Sequence, residues 1–198
     1  MINLVCFLEE PSAKEMLQGL FPRLLPDDVT PVIIPFEGKQ DLEKQLVKRM
    51  RGWLRPRSVF LVMRDQDAAN CKAVKANLAK LCANAGKPDA VVRIACRELE
   101  SFYFGDLATV EAGLGLRHLV QHKNKAKYRN PDAIGNPAEE LQKLTGNAYQ
   151  KVSGSRAIGL HLDPDANTSR SFNVLVAGIR RLIAAGKAYA SDGDVYFA

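Results

Sequence analysis

Four short apolar runs divide the first hundred residues, and between them the apolar positions recur at helical spacing. Residues 3–8 are apolar apart from Asn3 and read as a buried strand. Ser12-Ala-Lys-Glu15 has the spacing of a capping box; Met16, Leu17, Leu20 and Leu24 form the inner face of the helix it opens, and Pro26 ends it. A second strand is expected over Val32–Pro35, then an amphipathic helix over Lys39–Trp53 through Leu42, Leu46, Val47 and Met50. Ser58–Met63 is a strongly β-type run between Pro56 and Asp65. Ala68–Ala85 reads as a helix (Val74, Leu78, Leu81, Cys82) closed by Gly86 and Pro88. Ala90–Cys96 is the fourth strand, and a further helix begins over Leu99–Phe104.

Strands alternating with helices predict right-handed βαβ units and a parallel sheet flanked by helices, an α/β core over residues 1–105. The pattern then changes. Residues 113–136, rich in Gly, Asn, Lys and Arg, read as a loop. Asn136-Pro-Ala-Glu139 caps a short helix to Leu144, Ser155–His161 offers another, and Ser169 caps a longer one through Phe172, Leu175, Val176, Ile179, Leu182 and Ile183 that ends at Gly186. The tail predicts a hairpin, with Asp192-Gly193 as a type I′ turn between Ala188–Ser191 and Val195–Phe197. Residues 106–198 are thus expected as a mostly helical extension packed on the same domain.

Composition narrows the function classes. Hydrophobic residues make up 46% and charged residues 25% of the 198, the balance of a globular chain. The longest apolar runs, Leu4–Leu8 and Val59–Met63, hold five residues each, against the ~20 of a membrane span. The amino terminus lacks a basic region and meets Glu9-Glu10 too early for a signal peptide, so a cytoplasmic protein is expected. Cys6 and Cys96 fall in apolar runs and Cys71 and Cys82 in a helical pattern, without a Cys-x-x-Cys pair; buried free thiols are expected rather than zinc or disulfides. Net charge is +6, with +3 in each half, a spread basicity that suits a nucleic-acid partner.

The chemistry lies in the acids. Three apolar strands each run straight into carboxylates: Leu8-Glu9-Glu10, Met63-Arg64-Asp65-Gln66-Asp67, and Arg97-Glu98-Leu99-Glu100. In an open parallel sheet, ligands bind beyond the carboxyl ends of the strands, and strand polarity puts all three clusters on that rim. Like charges packed together repel unless a cation sits among them, and carboxylates without His or Cys favour Mg²⁺ or Mn²⁺. The expected ligands are Glu9, Asp65, Asp67 and either Glu98 or Glu100. The plainer alternative is that Asp65 or Asp67 caps the helix at Ala68. Glu10 is a ligand or a solvated neighbour, and the capping box accounts for Glu15.

The pattern strand–Glu9 followed by strand–Asp65-x-Asp67 resembles the TOPRIM domain of topoisomerases, primases and the overcoming-lysogenization-defect (OLD) nucleases over residues 1–105. More narrowly, Phe7–Ser12, Arg64–Asp67, Arg97–Phe102 and Gln150–Gly154 resemble a bacterial family of unknown function grouped with TOPRIM-like proteins. Members of that family are often paired with an ABC-type ATPase in phage-defence settings. The resemblance implies a TOPRIM/Rossmann-like fold and a Mg²⁺-dependent nuclease or phosphodiesterase. It implies catalytic roles for Glu9, Asp65 and Asp67, an additional metal-binding acid at Glu98 or Glu100, and the basic residue at Lys151. Glu10 stands where the family usually has glycine. A non-catalytic metal- or nucleic-acid-binding regulatory subunit is the alternative.

Two basic stretches suit a phosphate backbone: Lys48–Arg57 around Trp53, for which a solvated helix face is the plainer alternative, and Arg117–Arg129 with His118, His122 and Tyr128, for which a flexible loop is. The second is the better placed, because long polar loops commonly carry function. Tyr149–Arg156 resembles a phosphate-handling loop (Lys151, Ser153, Ser155, Arg156, with Gly154 permitting the turn), with too few glycines for a P-loop.

Overall fold

The computed structural model describes residues 1–193. Four strands, β1 (Ile2–Leu8), β2 (Val29–Pro35), β3 (Ser58–Asp65) and β4 (Val91–Ala95), form one all-parallel sheet in the order β2-β1-β3-β4. Central β1 is buried almost throughout, which is why its sequence is apolar on both faces. Edge strand β2 is longer than the pattern predicts and carries Pro31 and Pro35, which an edge tolerates because one side of the ladder needs no donor.

Side-chain alternation separates two cores. Leu4, Cys6, Leu8, Leu61 and Met63 point to one face, beneath α1 (Pro11–Leu24). Val5, Phe7, Phe60 and Val62 point to the other, beneath α2 (Lys39–Arg51) and α3 (Cys71–Asn84). The later helices are α4 (Ser101–Phe104), α5 (Leu107–Leu114), α6 (Pro137–Leu144), α7 (Lys151–Gly159) and α8 (Arg170–Gly193). They join the first face: α7 packs along α1, and α8 packs on β4 and β3. Gly19 and Gly159 let α1 and α7 touch backbone to backbone, since a Cβ on Gly19 would lie 2.4 Å from the Gly159 carbonyl carbon. Arg23 adds two hydrogen bonds, to the carbonyls of Leu162 (2.9 Å) and Gly159 (2.6 Å). Among the described residues no helix is long and apolar enough to cross a membrane.

The structure corrects four local readings. Helix α1 starts two residues earlier than the capping box implies: Pro11 opens it, Ser12 Oγ donates to Glu10 at 2.5 Å, and Glu15 accepts from Arg156 Nε at 2.6 Å. Helix α3 is capped by Asn70, whose Oδ1 accepts from the amides of Lys72 and Ala73, so neither Asp65 nor Asp67 is its cap. Residues 151–159 are helix rather than a phosphate-handling loop; Gly154 is there because a Cβ would strike the Tyr149 ring at 2.5 Å. Helix α8 continues through Gly186, Ala188–Ser191 and Asp192-Gly193, which replaces the first strand and turn of the expected hairpin; Val195–Phe197 lies outside the described residues. Gly186 sits within the helix because a Cβ there would crowd Val59 and Ile2. Ser169 does cap α8, accepting from the Phe172 amide at 3.2 Å, and Asp132 of the long loop reinforces it by accepting from the Ser171 amide at 2.9 Å.

Candidate functional site

The chain leaves β1 in one direction for β2 and returns past it to β3, so the topological switch point lies between β1 and β3. Glu9 and Asp65 stand at the carboxyl ends of those strands. Glu9 Oε2 accepts the Asp65 amide at 2.8 Å, and the Glu9 amide donates to the Met63 carbonyl at 3.1 Å. The first glutamate is therefore pinned across the crevice in which ligands of open α/β sheets bind.

Strand alternation then divides the Asp65-x-Asp67 motif. Asp65 continues the Leu61–Met63 face toward α1, α4 and α7, and Arg64 continues the Phe60–Val62 face toward α2. Arg64 is 5% exposed; it donates to Glu43 (2.7 Å) and lies 3.8 Å from Glu9 and 3.6 Å from Asp67. Asp67 has turned away from Asp65, at φ 55°, and accepts from Lys39 Nζ at 2.8 Å. Its amide donates to the carbonyl of Arg97, itself at φ 63°. Two non-glycine residues in the left-handed region thus face each other across the β3 and β4 exits, a conformation of the kind that collects at functional sites.

A second group gathers on the α1 and α7 side. Asp65 is 7% exposed, and Glu100 is fully buried. Glu100 Oε1 accepts from the Tyr149 hydroxyl at 2.7 Å, while its Oε2 is buried without a hydrogen-bond partner, as is the Tyr103 hydroxyl. Tyr149 also meets Ser155 Oγ at 3.2 Å. Among the described residues no donor reaches the Asp65 carboxylate. Lys151, the first residue of α7, donates to Glu10 at 2.7 Å. Glu98 is directed elsewhere: its Oε2 accepts the Ala138 amide at 2.8 Å, in the first turn of α6. Glu100 is consequently the acid that joins Asp65, Glu9 and Glu10, with Lys151 among them.

The electrostatics follow from burial. Asp65 is held well above the ordinary carboxylate range by desolvation, then by the charges of Glu100, Glu10 and Glu9, with Lys151 opposing. Glu100 is raised by burial against the lowering effects of Tyr149 and Lys151. Glu9 is raised by burial, which its bond from the Asp65 amide and the nearby Arg64 only partly offset. Burial works against the charge of Lys151, but Glu10, Glu100 and Asp65 outweigh it and hold the ammonium protonated.

Arg64, Lys39 and Lys151 are cations of this chain standing among the acids, so charge compensation at the rim does not by itself require an ion. Among the described residues, no group of three or more His, Cys, Asp or Glu side chains is set to hold a metal ion. Arg64, Tyr149 and Tyr103 carry no role in the sequence reading. An arginine continuing a buried strand was the available signal for Arg64, because buried guanidinium groups are almost always paired. The tyrosines had none: the Glu100 carboxylate that Tyr149 meets lies 49 residues away, and Tyr103 packs edge-on against the Tyr149 ring at 5.9 Å. Of the basic stretches, the 117–129 loop has Tyr128 stacked on Phe104 at 5.0 Å, and Trp53 is covered by Arg55 at 5.5 Å and donates to Ser58.

Replacing Tyr149 with Phe is expected to lower stability by about 1–3 kcal/mol, because it strips the buried Glu100 carboxylate of its donor. Urea denaturation measures this, and a loss well under that range would place the support of Glu100 elsewhere. No curated protein and no solved structure matches the chain. A family model matches residues 8–180, which contain β2, β3, β4, the last residue of β1, the acid cluster and most of the helical second half. The chain belongs to the family described as domain of unknown function (DUF4276).

Proposed function

We propose that the switch-point cluster is the active site of a TOPRIM-like, Mg²⁺- or Mn²⁺-dependent nuclease or related phosphodiesterase, working in the cytoplasm with an ABC-type ATPase partner, in a phage-defence setting. The observation that carries this is the meeting of buried Asp65 and Glu100 with Glu9, Glu10 and Lys151 at the crevice between β1 and β3. The donor types are those a hard divalent cation takes, although the side chains are not already gathered around one: they are all carboxylates, Glu100 Oε2 is buried and unpartnered, and the Asp65 carboxylate accepts no hydrogen bond among the described residues. Asp65, Glu100 and Glu9 would hold such an ion, with Glu10 beside them. When bound, it supplies Lewis-acid activation of water and stabilisation of the leaving oxygen of a phosphodiester.

The protein's own groups set the stage for this chemistry. Lys151 presents an ammonium to phosphoryl oxygens on which charge develops. Burial raises Asp65 and Glu100, so protons compete with a cation for these carboxylates and metal uptake tightens as pH rises. Arg64 anchors Glu9 from the opposite face and fixes the orientation of the rim. Asp67, bound to Lys39, sits at the mouth rather than in the cluster.

The test is cleavage of plasmid and single-stranded DNA with Mg²⁺ or Mn²⁺, expected in the wild type and abolished by EDTA. Absence of cleavage with either metal, with the ATPase partner also present, would remove the enzyme reading. It would favour the second one, a non-catalytic regulatory subunit. That alternative draws on a particular observation: Glu9, Glu10, Glu100 and Asp67 each already have a partner within the chain.

A further inference from the structure

The positive charge of this chain is not spread evenly. Residues 44–88 hold 11 Lys and Arg against two acids, a net +9 where the whole chain is +6, so the remaining residues are net −3. Apart from buried Arg64, one of the eleven, the structure brings the helical part of this stretch onto one surface, because α2 and α3 lie side by side over the same core. Lys44, Lys48 and Arg49 on α2 and Lys72, Lys75 and Lys80 on α3 are exposed. Among the described residues none of these six makes an ion pair. The two acids leave that surface unopposed: Asp65 points to the opposite face of the sheet, and Asp67 is held by Lys39. At the rim end of α2, Glu43 is tied to Arg64 and Asp41 to Gln45.

The chemistry of the surface selects its partner. A protein partner of ordinary kind needs an apolar centre to its interface, whereas nucleic-acid interfaces are more polar and far more positive. Of the exposed large apolar side chains, Met1, Leu54, Val152, Leu160 and Val174, Leu54 alone belongs to this stretch. Helix α2, 13 residues long, spans about 20 Å, the length over which B-DNA presents about six phosphates on each strand. Both helices begin at the rim that carries the candidate site, α2 with Lys39 bonded to Asp67 and α3 just beyond Asp67.

We infer that the exposed face of α2 and α3 is a nucleic-acid docking surface that holds the sugar-phosphate backbone by charge, without reading sequence, and leads it to the switch-point site. The inference takes nucleic acid as substrate from the proposed function, and its test runs without metal so that the two readings fail separately. Fluorescence anisotropy of the full chain with short labelled single-stranded and duplex DNA, in EDTA, is expected to show binding that weakens steeply between about 50 and 200 mM salt. The triple variant Lys44→Gln, Lys48→Gln, Lys75→Gln should bind about tenfold more weakly at low salt and reduce the salt slope by about 2–3. The loop variant Arg117→Gln, Lys123→Gln, Lys125→Gln should change affinity by less than about twofold. Wild-type binding in EDTA that Asp65→Ala leaves intact supports the surface even if the protein cuts nothing. Absence of DNA binding, a folded helix variant that binds like wild type, or loss confined to the loop variant would overturn the inference. So would a wild type that ignores DNA and binds anionic lipid vesicles, which would make the face a membrane surface.

Discussion

Asp65→Asn is expected to abolish metal-dependent cleavage while leaving the apo protein at least as stable as wild type at alkaline pH. Asp65 is nearly fully buried, its carboxylate lacks a hydrogen-bond donor among the described residues, and it lies among the charges of Glu100, Glu10 and Glu9. Its folded-state pKa is raised, so its neutral form favours folding. That contribution is complete below the unfolded carboxylate pKa and is lost as pH rises through the folded one. Glu100 and Glu9 are raised as well and act with the same sign. In EDTA, the melting temperature of the wild type should therefore fall on going from pH 5 to pH 8 by more than that of Asp65→Asn. At pH 5 the two should be close. Mn²⁺ should restore the wild type at pH 8 and do little for the variant, because binding to the folded state alone raises stability. Loss of activity of about 10²–10³-fold or more is the scale for removing a group that acts in the transition state. Calorimetric melting at the two pH values, with and without Mn²⁺, separates these effects. A variant that melts below wild type at pH 8 in EDTA, or gains as much from Mn²⁺, would show that Asp65 is structural.

Arg64→Ala is expected to give the largest loss of stability of any single change at the site, about 2–4 kcal/mol, somewhat below the range for breaking a fully buried pair. The reduction reflects exposure: Glu43 and Asp67 are 39% and 36% exposed, and bonds to such groups are weak. The cost comes instead from Glu9, 13% exposed, left without its guanidinium, and from the buried aliphatic stem, whose removal opens a cavity. Arg64→Lys should recover only part of the loss, because one ammonium cannot face Glu43, Glu9 and Asp67 at once. Urea denaturation in EDTA measures both variants. A loss below about 1 kcal/mol for Arg64→Ala would show that the rim does not depend on this cation.

The two variants probe opposite faces of one strand end, and that division bears on function. The side chains of adjacent Arg64 and Asp65 point to opposite faces of the sheet and meet only around Glu9 and the Asp65 carbonyl, to which Arg64 Nε donates at 3.1 Å. The first belongs to the layer whose outer surface carries the chain's excess positive charge; the second belongs to the acid cluster. A phosphodiester held on the α2 and α3 side would meet the acids only at the rim, where Asp67, Lys39 and Arg97 stand.

Much of this architecture was legible in the order of residues. Apolar runs ending in acid located the strands, their direction and the rim, because a buried parallel strand must be apolar on both faces and its polar continuation must leave the sheet. Ser169 announced the start of α8, since capping depends on neighbours only a few residues away. Periodicity could not choose between Glu98 and Glu100. One meets the first turn of α6, 40 residues on, and the other a tyrosine 49 residues on. The misplaced cap at Ser12 and the hairpin that is helix in α8 have the same origin: local signals were outweighed by packing, by Arg156 at Glu15 and by Val59 and Ile2 at Gly186. The sequence by itself therefore determined the α/β order and which acids reach the edge of the sheet. Tertiary structure alone decided which of them meet, which are neutralised by Arg64, Lys39 and Lys151, and that the basic residues of two separate helices share one face. Those outcomes depend on contacts between segments up to 141 residues apart, and a local pattern of side chains fixes a face without fixing the neighbour it meets.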